Sequence, residues 1–251
     1  MIHFVGAGSG AADLITIRGK SLIETADVII YAGSLVNPEL LKYAKSDCMI
    51  YNSALMTLDD VIGVMEKAEN SGKTTVRLHT GDPCIYGAIR EQMDKLDELG
   101  IAYDVCPGVS SFCGAAASLK AEYTLPDVSQ TVILTRMAGR TPMPERESIE
   151  SLAAHNATMV IFLSTGMLEE LSERLISGGY SPDTPAAIVF KATWKDEKVC
   201  RCTVSTLAET AKKNDINKTA LITVGNFLGD LKSLSKLYSP DFDTEFRKAR
   251  T

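Results

Sequence analysis

Paired cysteines, an excess of basic charge and long apolar runs are what this chain of 251 residues lacks. Its six cysteines, Cys48, Cys84, Cys106, Cys113, Cys200 and Cys202, show no C-x-x-C spacing. Cys200 and Cys202 lie two apart on a predicted strand, so their thiols share one face, a poor geometry for a disulfide. Reduced thiols in a cytoplasmic protein are the expectation. There are only three histidines and none stands near a cysteine pair, so no metal site is expected. No apolar stretch approaches the roughly 18 residues needed to cross a bilayer. The start, Met1-Ile2-His3-Phe4-Val5-Gly6, lacks the charged head of a signal peptide and runs directly into a strand pattern. No membrane is therefore expected as a partner. Lysine and arginine number 26 against 32 acidic residues, a net charge of −6, which speaks against a nucleic-acid surface. A locally basic pocket stays compatible with that balance.

What the chain does have is a sharply punctuated stretch, Thr74-Thr75-Val76-Arg77-Leu78-His79-Thr80-Gly81-Asp82-Pro83-Cys84-Ile85-Tyr86-Gly87. Its opening is rich in β-branched and apolar residues and reads as a strand. Gly81-Asp82-Pro83 stops it, since glycine frees the backbone and proline fixes its own φ. From Gly87 a helical stripe of Ile89, Met93, Leu96 and Leu99 follows, closed by Gly100. Ligands of α/β sheets bind at the carboxyl ends of the strands, so this strand-turn-helix marks the expected active cleft. Asp82 reads both as a shaper of a ligand loop and as a turn residue capping the next helix. His79 is expected to pack or hydrogen-bond at the strand end rather than act as a base.

A second glycine-rich stretch, Gly6-Ala7-Gly8-Ser9-Gly10-Ala11, matches the dinucleotide pattern G-x-G-x-x-A and admits a nicotinamide-dependent oxidoreductase as an alternative. Two features count against that reading. Ala12-Asp13-Leu14-Ile15 separates the glycines from the next helix, for which Thr16 is the better N-cap. The second strand, Asp27 to Gly33, also ends without the acidic residue that a ribose requires. The glycines instead let the backbone approach a flat ligand or a neighbouring loop.

The remaining pattern alternates strand and helix. A short helix is expected from Pro38 to Ala44, a strand from Cys48 to Tyr51, and a helix behind the capping box Thr57-x-x-Asp60, closed by Gly72. Another strand, Ala102 to Cys106, is cut by Pro107-Gly108 and followed by a helix from Ser110 to Leu119. Such alternation predicts a parallel sheet with helices on both faces. The rhythm restarts near residue 120, with strands at Thr131 to Thr135 and Thr158 to Leu163. Ala186 to Thr193 and Lys198 to Val204 follow, too close together for a crossover and hence an antiparallel hairpin. Thr219 to Val224 is the last strand, and the tail from Asp230 reads as a charged helix or loose end. The expectation is an α/β protein of two domains, 1–119 with a parallel sheet and 120–251 with a mixed sheet.

Taken in order, five stretches resemble the tetrapyrrole (corrin) methylases. They are Val5-Gly6-Ala7-Gly8-Ser9-Gly10 with Asp13-Leu14-Ile15-Thr16, Gly81 to Gly87, Pro107-Gly108-Val109-Ser110-Ser111, Thr184-Pro185-Ala186-Ala187, and Lys218 to Gly225. The likeness runs to about Leu228. The resemblance implies a two-domain fold with S-adenosylmethionine folded in the cleft between domains and released as S-adenosylhomocysteine. It also implies a large anionic ring as substrate and a homodimer. Carried over residue by residue, the cofactor contacts fall on Ser9, Thr80, Gly81, Asp82, Ile85, Ser110 and Ser111, and on Thr165, Ala187 and Ala220. Ser9 stands where relatives have proline, and Ser164-Thr165-Gly166 where first-step members show Tyr-Met-Gly. The stretches Tyr31 to Pro38 and Leu134 to Pro142 resemble the branch acting on C11 of cobalt-precorrin-4, the cobalt-free precorrin-4 branch or another precorrin methylase being the alternative. Members acting on uroporphyrinogen III carry an aspartate after the tyrosine at the position of Tyr31, whereas Ala32 follows here.

Methyl transfer from a sulfonium needs alignment more than acid, base or nucleophile, and no catalytic residue is assigned. The carboxylates of the ring call for arginines, which pair them in bidentate fashion. Arg18, Arg136 and Arg140 are the substrate-binding candidates, while Arg146 reads as surface charge and Arg90 as the i,i+4 partner of Asp94. An RNA ribose methylase of the same fold is a further alternative that the net charge disfavours.

Overall fold

The structure is a computed structural model describing residues 1–229 and 235–249. Contacts divide the chain into two compact units, Met1–Ala115 with Lys191–Glu197, and Ala116–Phe190 with Lys198–Thr251.

The first unit holds strands β1 (Ile2–Gly6), β2 (Val28–Tyr31), β3 (Met49–Asn52), β4 (Thr75–His79) and β5 (Tyr103–Cys106). Its helices are α1 (Ile17–Thr25), α2 (Leu58–Asn70) and α3 (Arg90–Glu98), and α4 (Ser111–Leu119) runs out of it. All strand pairs are parallel, in the order β3-β2-β4-β1-β5. The strands read as near-continuous apolar runs because both faces are covered. On one face Ile2, Phe4, Val28 and Ile30 pack with Val61, Ile62 and Met65 of α2 and Leu96 of α3. On the other, Val5, Ile29 and Leu78 pack with Ile23 of α1 and with Leu40. Each such side chain contributes about 1.5–3 kcal/mol when fully buried.

Local signals set the helix starts. Thr16 caps α1 by accepting the Gly19 N–H at 3.0 Å. Thr57 and Asp60 form the expected capping box on α2. The turn from Pro38 to Tyr43 is a 3-10 helix rather than an α-helix. Asp27, ahead of β2, binds Lys45 and the Thr74 N–H, which holds its carboxyl down to about 2.

The second unit holds β6 (Val132–Arg136), β7 (Thr158–Phe162), β8 (Pro185–Phe190), β9 (Lys198–Thr203) and β10 (Ala220–Val224), with α5 (Ile149–Ala153), α6 (Leu168–Ser177) and α7 (Leu207–Lys213). The strand order is β6-β7-β10-β8-β9, parallel between β6 and β7 and antiparallel elsewhere. The hairpin of β8 and β9 is present as expected, from Pro185 opposite Thr203 to Phe190 opposite Lys198. Met159, Ile161, Ile188 and Ile222 meet Ile149, Leu171, Leu175 and Leu207 in its core. Cys200 and Cys202 lie against that core, and all six cysteines are free thiols. Of the expected tail, Asp230 lies outside the described residues, and Lys236–Tyr238 forms a single 3-10 turn. Among the described residues no helix is long and apolar enough to cross a membrane.

Candidate functional site

Chain order in the first sheet reverses between β1 and β4. The chain leaving β1 goes through α1 on one face, and the chain leaving β4 goes through α3 on the other. Their carboxyl ends therefore mark a topological switch point, where α/β sheets bind ligands. The two loops are laced together there. Ala7 N–H donates to the His79 carbonyl at 2.7 Å, and Gly8 and Gly81 exchange hydrogen bonds of 3.2 and 2.9 Å. Gly6 permits this closeness: a Cβ on it would lie 2.6 Å from the Gly108 Cα and from the Gly81 carbonyl oxygen.

Asp82 organises the mouth. One carboxylate oxygen accepts the Cys84 N–H at 2.8 Å and the other accepts the Gly108 N–H at 2.9 Å. It thus ties the loop after β4 to the loop after β5 and leaves α3 without a side-chain cap. The cap expected from Asp82 and the helix expected from Gly87 are corrected together. Tyr86 and Ala88 hold φ of 56° and 49°, a left-handed geometry that delays the helix to Arg90, and Leu99 at its C-cap is exposed. Each left-handed side-chain-bearing residue costs about 1–2 kcal/mol, strain typical of functional loops. Gly81, Ser110 and Ser111 are brought together, since a Cβ on Gly81 would come 3.3 Å from the Ser111 nitrogen. Thr80 is exposed, Ile85 half-buried and Ser110 buried at the same mouth. Burial, then the neighbouring Asp82, raises the Cys84 thiol pKa.

Ser9 is differently engaged. Its hydroxyl shares a 3.1 Å hydrogen bond with Thr193, whose Oγ1 also accepts the Ala11 N–H at 3.0 Å. Thr193 belongs to the hairpin tip Lys191–Glu197, part of the first unit. In the same tip Trp194 lies against Gly10, and Lys195 pairs with Glu39 at 2.8 Å. The neighbouring loop for which the glycines leave room is this tip, and neither Thr193 nor Trp194 was singled out by sequence patterns.

The second unit gathers a smaller set at the carboxyl ends of β6 and β7. Thr165 Oγ1 donates to the Ala220 carbonyl at 3.1 Å, so these two expected residues are adjacent. Ala187 stands apart from them. It pairs in register with Thr223, three residues along from the Phe190–Ala220 pair, or about 10 Å. Buried Ser164 accepts the Met137 N–H at 2.8 Å and donates to the Phe162 carbonyl at 2.7 Å, pinning two strand-end loops. A lone serine gives no sequence signal for such a role. Arg136 donates to the carbonyls of Met137, Thr141 and Pro142 at 3.0, 3.3 and 3.0 Å, so its guanidinium supports its own loop. Arg140 at the tip of that loop is exposed, as is Arg18 in the first unit. Arg146 is exposed, and Arg90 pairs with Asp94 at 2.8 Å. A cleft of about 680 Å³ beside Thr165 and Gly166 is lined by Glu169, Glu170 and Glu173, unsuited to a polyanion.

Under the mouth, β4 carries a buried polar row, Thr75, Arg77 and His79, on the face of the α2 and α3 core. Burial lowers the Arg77 guanidinium to about 10, still charged at neutral pH. Burial and the neighbouring Arg77 charge lower His79 to about 3, so it is neutral, and its Nε2 has no partner among the described residues. No three His, Cys, Asp or Glu side chains gather as metal ligands among the described residues.

The family described as Tetrapyrrole (Corrin/Porphyrin) Methylases matches residues 1–208. A Methanocaldococcus jannaschii protein named cobalt-precorrin-4 C(11)-methyltransferase is 56% identical over 249 residues, 99% of this chain and 96% of its own. A Sinorhizobium protein named precorrin-4 C(11)-methyltransferase is 43% identical over 249 residues, 98% of each chain. The solved structure of a cobalamin biosynthetic enzyme, cobalt precorrin-4 methyltransferase, superposes with a TM-score of 0.89 at 44% identity, covering 90% of this chain and 95% of that one. The chain belongs to the tetrapyrrole (corrin/porphyrin) methylases.

Proposed function

We propose that this protein is an S-adenosylmethionine-dependent C-methyltransferase that methylates C11 of cobalt-precorrin-4 in cobalamin biosynthesis, working in the cytoplasm as a homodimer. The observation that carries the reading is the 56% identity, across nearly the whole of both chains, to a relative bearing that activity in its name. The named precorrin-4 relative at 43% identity supports a second reading, in which the ring carries no cobalt.

The residues at the mouth of β4 fit a nucleoside-bearing methyl donor. Gly81 keeps the backbone beside Ser110 and Ser111 clear of side chain, and both oxygens of Asp82 are committed to backbone N–H groups. Thr80 supplies an exposed hydroxyl and Ile85 an apolar wall. Ser110 and Ser111 complete this set. Ser9 acts indirectly, by anchoring the hairpin tip over the glycine loop. When bound, S-adenosylmethionine supplies a methyl group on a sulfonium, an already activated donor.

The chain's own task is alignment. Thr80, Gly81, Ile85, Ser110 and Ser111 would hold a donor whose methyl group would pass to C11 while sulfur kept the electron pair of the broken bond. Holding the two partners in line is worth up to about 7–11 kcal/mol. Interlocked loops at the switch point and the Asp82 clamp supply the rigidity that such positioning demands. Exposed Arg140 supplies a guanidinium for a carboxylate of the ring, and Arg136 holds the loop that presents it.

Calorimetric titration with S-adenosylhomocysteine tests the donor site. Saturable binding is the expected result, and no heat at millimolar ligand would end the reading.

A further inference from the structure

We propose that Arg77 and Gln92 are positioning residues for the loop leaving β4: the guanidinium sets which way the Gln92 amide faces, and that amide holds the Ala88 carbonyl. The proposal deepens the reading of this loop as the seat of the methyl donor and rests on it for its catalytic consequence.

Both side chains are buried, Arg77 at 7% and Gln92 at 5% exposure. Arg77 Nε donates to Gln92 Oε1 at 3.0 Å, and its Nη1 donates to the Ile30 carbonyl at 3.2 Å. Gln92 Nε2 donates to the Ala88 carbonyl at 2.9 Å. A guanidinium has donors only, so it must meet the amide oxygen. The NH2 group is thereby turned toward Ala88. Gln92 is the third residue of α3, the place from which a capping-box side chain accepts the N-cap N–H. Here it reaches back as a donor instead, to the residue before the N-cap.

The arrangement is costly as packing. Both acceptors of Arg77 in these bonds are neutral oxygens, and its neighbours include Phe4 and Ile30 of an apolar core. A methionine or leucine at either position would fill such space with no charge to desolvate. What an apolar pair does not supply is a hold on Ala88, whose left-handed φ of 49° turns the loop into the helix. The tether therefore runs from the β2 backbone, through a β4 side chain, to the last left-handed residue of the loop.

Gln92→Glu separates positioning from stability. A carboxylate satisfies Arg77 with an ion pair but offers no hydrogen to the Ala88 carbonyl. In the full chain, the expected result is a Tm within about 3 °C of the parent and about tenfold faster hydrogen exchange confined to residues 84–90. The KM for S-adenosylmethionine should rise about fivefold, with kcat changed less than about twofold. Gln92→Leu, which lacks both functions, should show the same local exchange with a lower Tm. Parent-like exchange in residues 84–90 in either variant overturns the tether. Local exchange that rises while KM stays put overturns the positioning role. Should the parent itself fail to bind S-adenosylhomocysteine, the methyl-donor reading fails, whereas the exchange measurement still decides the tether.

Discussion

Trp194 occupies the space that a side chain on Gly10 would need: a Cβ built there would stand 2.2 Å from the indole Cδ1 and 2.5 Å from the Ala192 carbonyl oxygen. Gly10 is also held from the other side, where its carbonyl accepts the Asn37 side-chain amide at 2.9 Å. The hairpin tip therefore closes on the backbone of the glycine loop, with Thr193 and Lys195 pinning its flanks. Gly10→Ala should destabilise the protein by about 2–3 kcal/mol, read by urea denaturation. Adding Trp194→Ala should recover only part of that, since the Ala192 carbonyl remains. Parent-like stability of the single variant would show that the tip does not bear on the loop.

The clamp at Asp82 makes a second prediction. Asparagine replaces one carboxylate oxygen by an NH2 group, which would face either the Cys84 or the Gly108 N–H. Leaving such a donor unsatisfied costs about 1–3 kcal/mol. Asp82→Asn should weaken S-adenosylhomocysteine binding about tenfold, measured by calorimetry. Unchanged affinity would remove Asp82 from the description of the site.

Two arginines of one loop should behave differently. Arg136→Met releases three backbone carbonyls and should lower both Tm and turnover, by about 1–3 kcal/mol in stability. Exposed Arg140→Gln should leave Tm unchanged and raise the KM for the tetrapyrrole. If Arg140→Gln has parental kinetics while Arg136→Met alters only KM, the two roles are reversed.

Acid stability reports on His79. In the unfolded chain this imidazole titrates near 6.5, whereas in the fold burial and Arg77 lower it to about 3. Between those values the unfolded state binds more protons, so stability falls as pH drops below 6.5 and is unaffected above it. At pH 4.5 the loss should be about 2–3 kcal/mol. His79→Gln should flatten that slope between pH 6.5 and 4.5 in denaturant titrations, whatever its stability at pH 7. A slope equal to the parent's would mean that His79 is protonated in the native state.

Much of this was legible in the chain because local chemistry and burial agreed. Thr16, Thr57 and Asp60 cap where their residue types demand, and the short gap before Lys198 admits only a hairpin. The Gly81-Asp82-Pro83 turn marks the strand end at which the loops interlock. The misreadings have a common physical source. The Asp82 cap failed because Asp82 is claimed by Gly108, a residue 26 positions away, and the helix expected from Gly87 starts late because Tyr86 and Ala88 are left-handed. Trp194 over Gly10, Ser164 under Met137 and Gln92 behind Ala88 are likewise contacts between distant or adjacent elements with no periodic signature. Arg77 is visible in sequence only as a charge inside an apolar strand, and its partners follow only from the packing of α3 on β4.

What the loop leaving β4 is proposed to do is present a methyl donor to C11 of cobalt-precorrin-4. Incubating the protein with that substrate and S-adenosylmethionine under nitrogen, then locating the added group by mass spectrometry, tests it most directly. One new methyl group, on C11, and the release of S-adenosylhomocysteine are the expected result. An unmodified ring, or a methyl group on any other carbon, would contradict it.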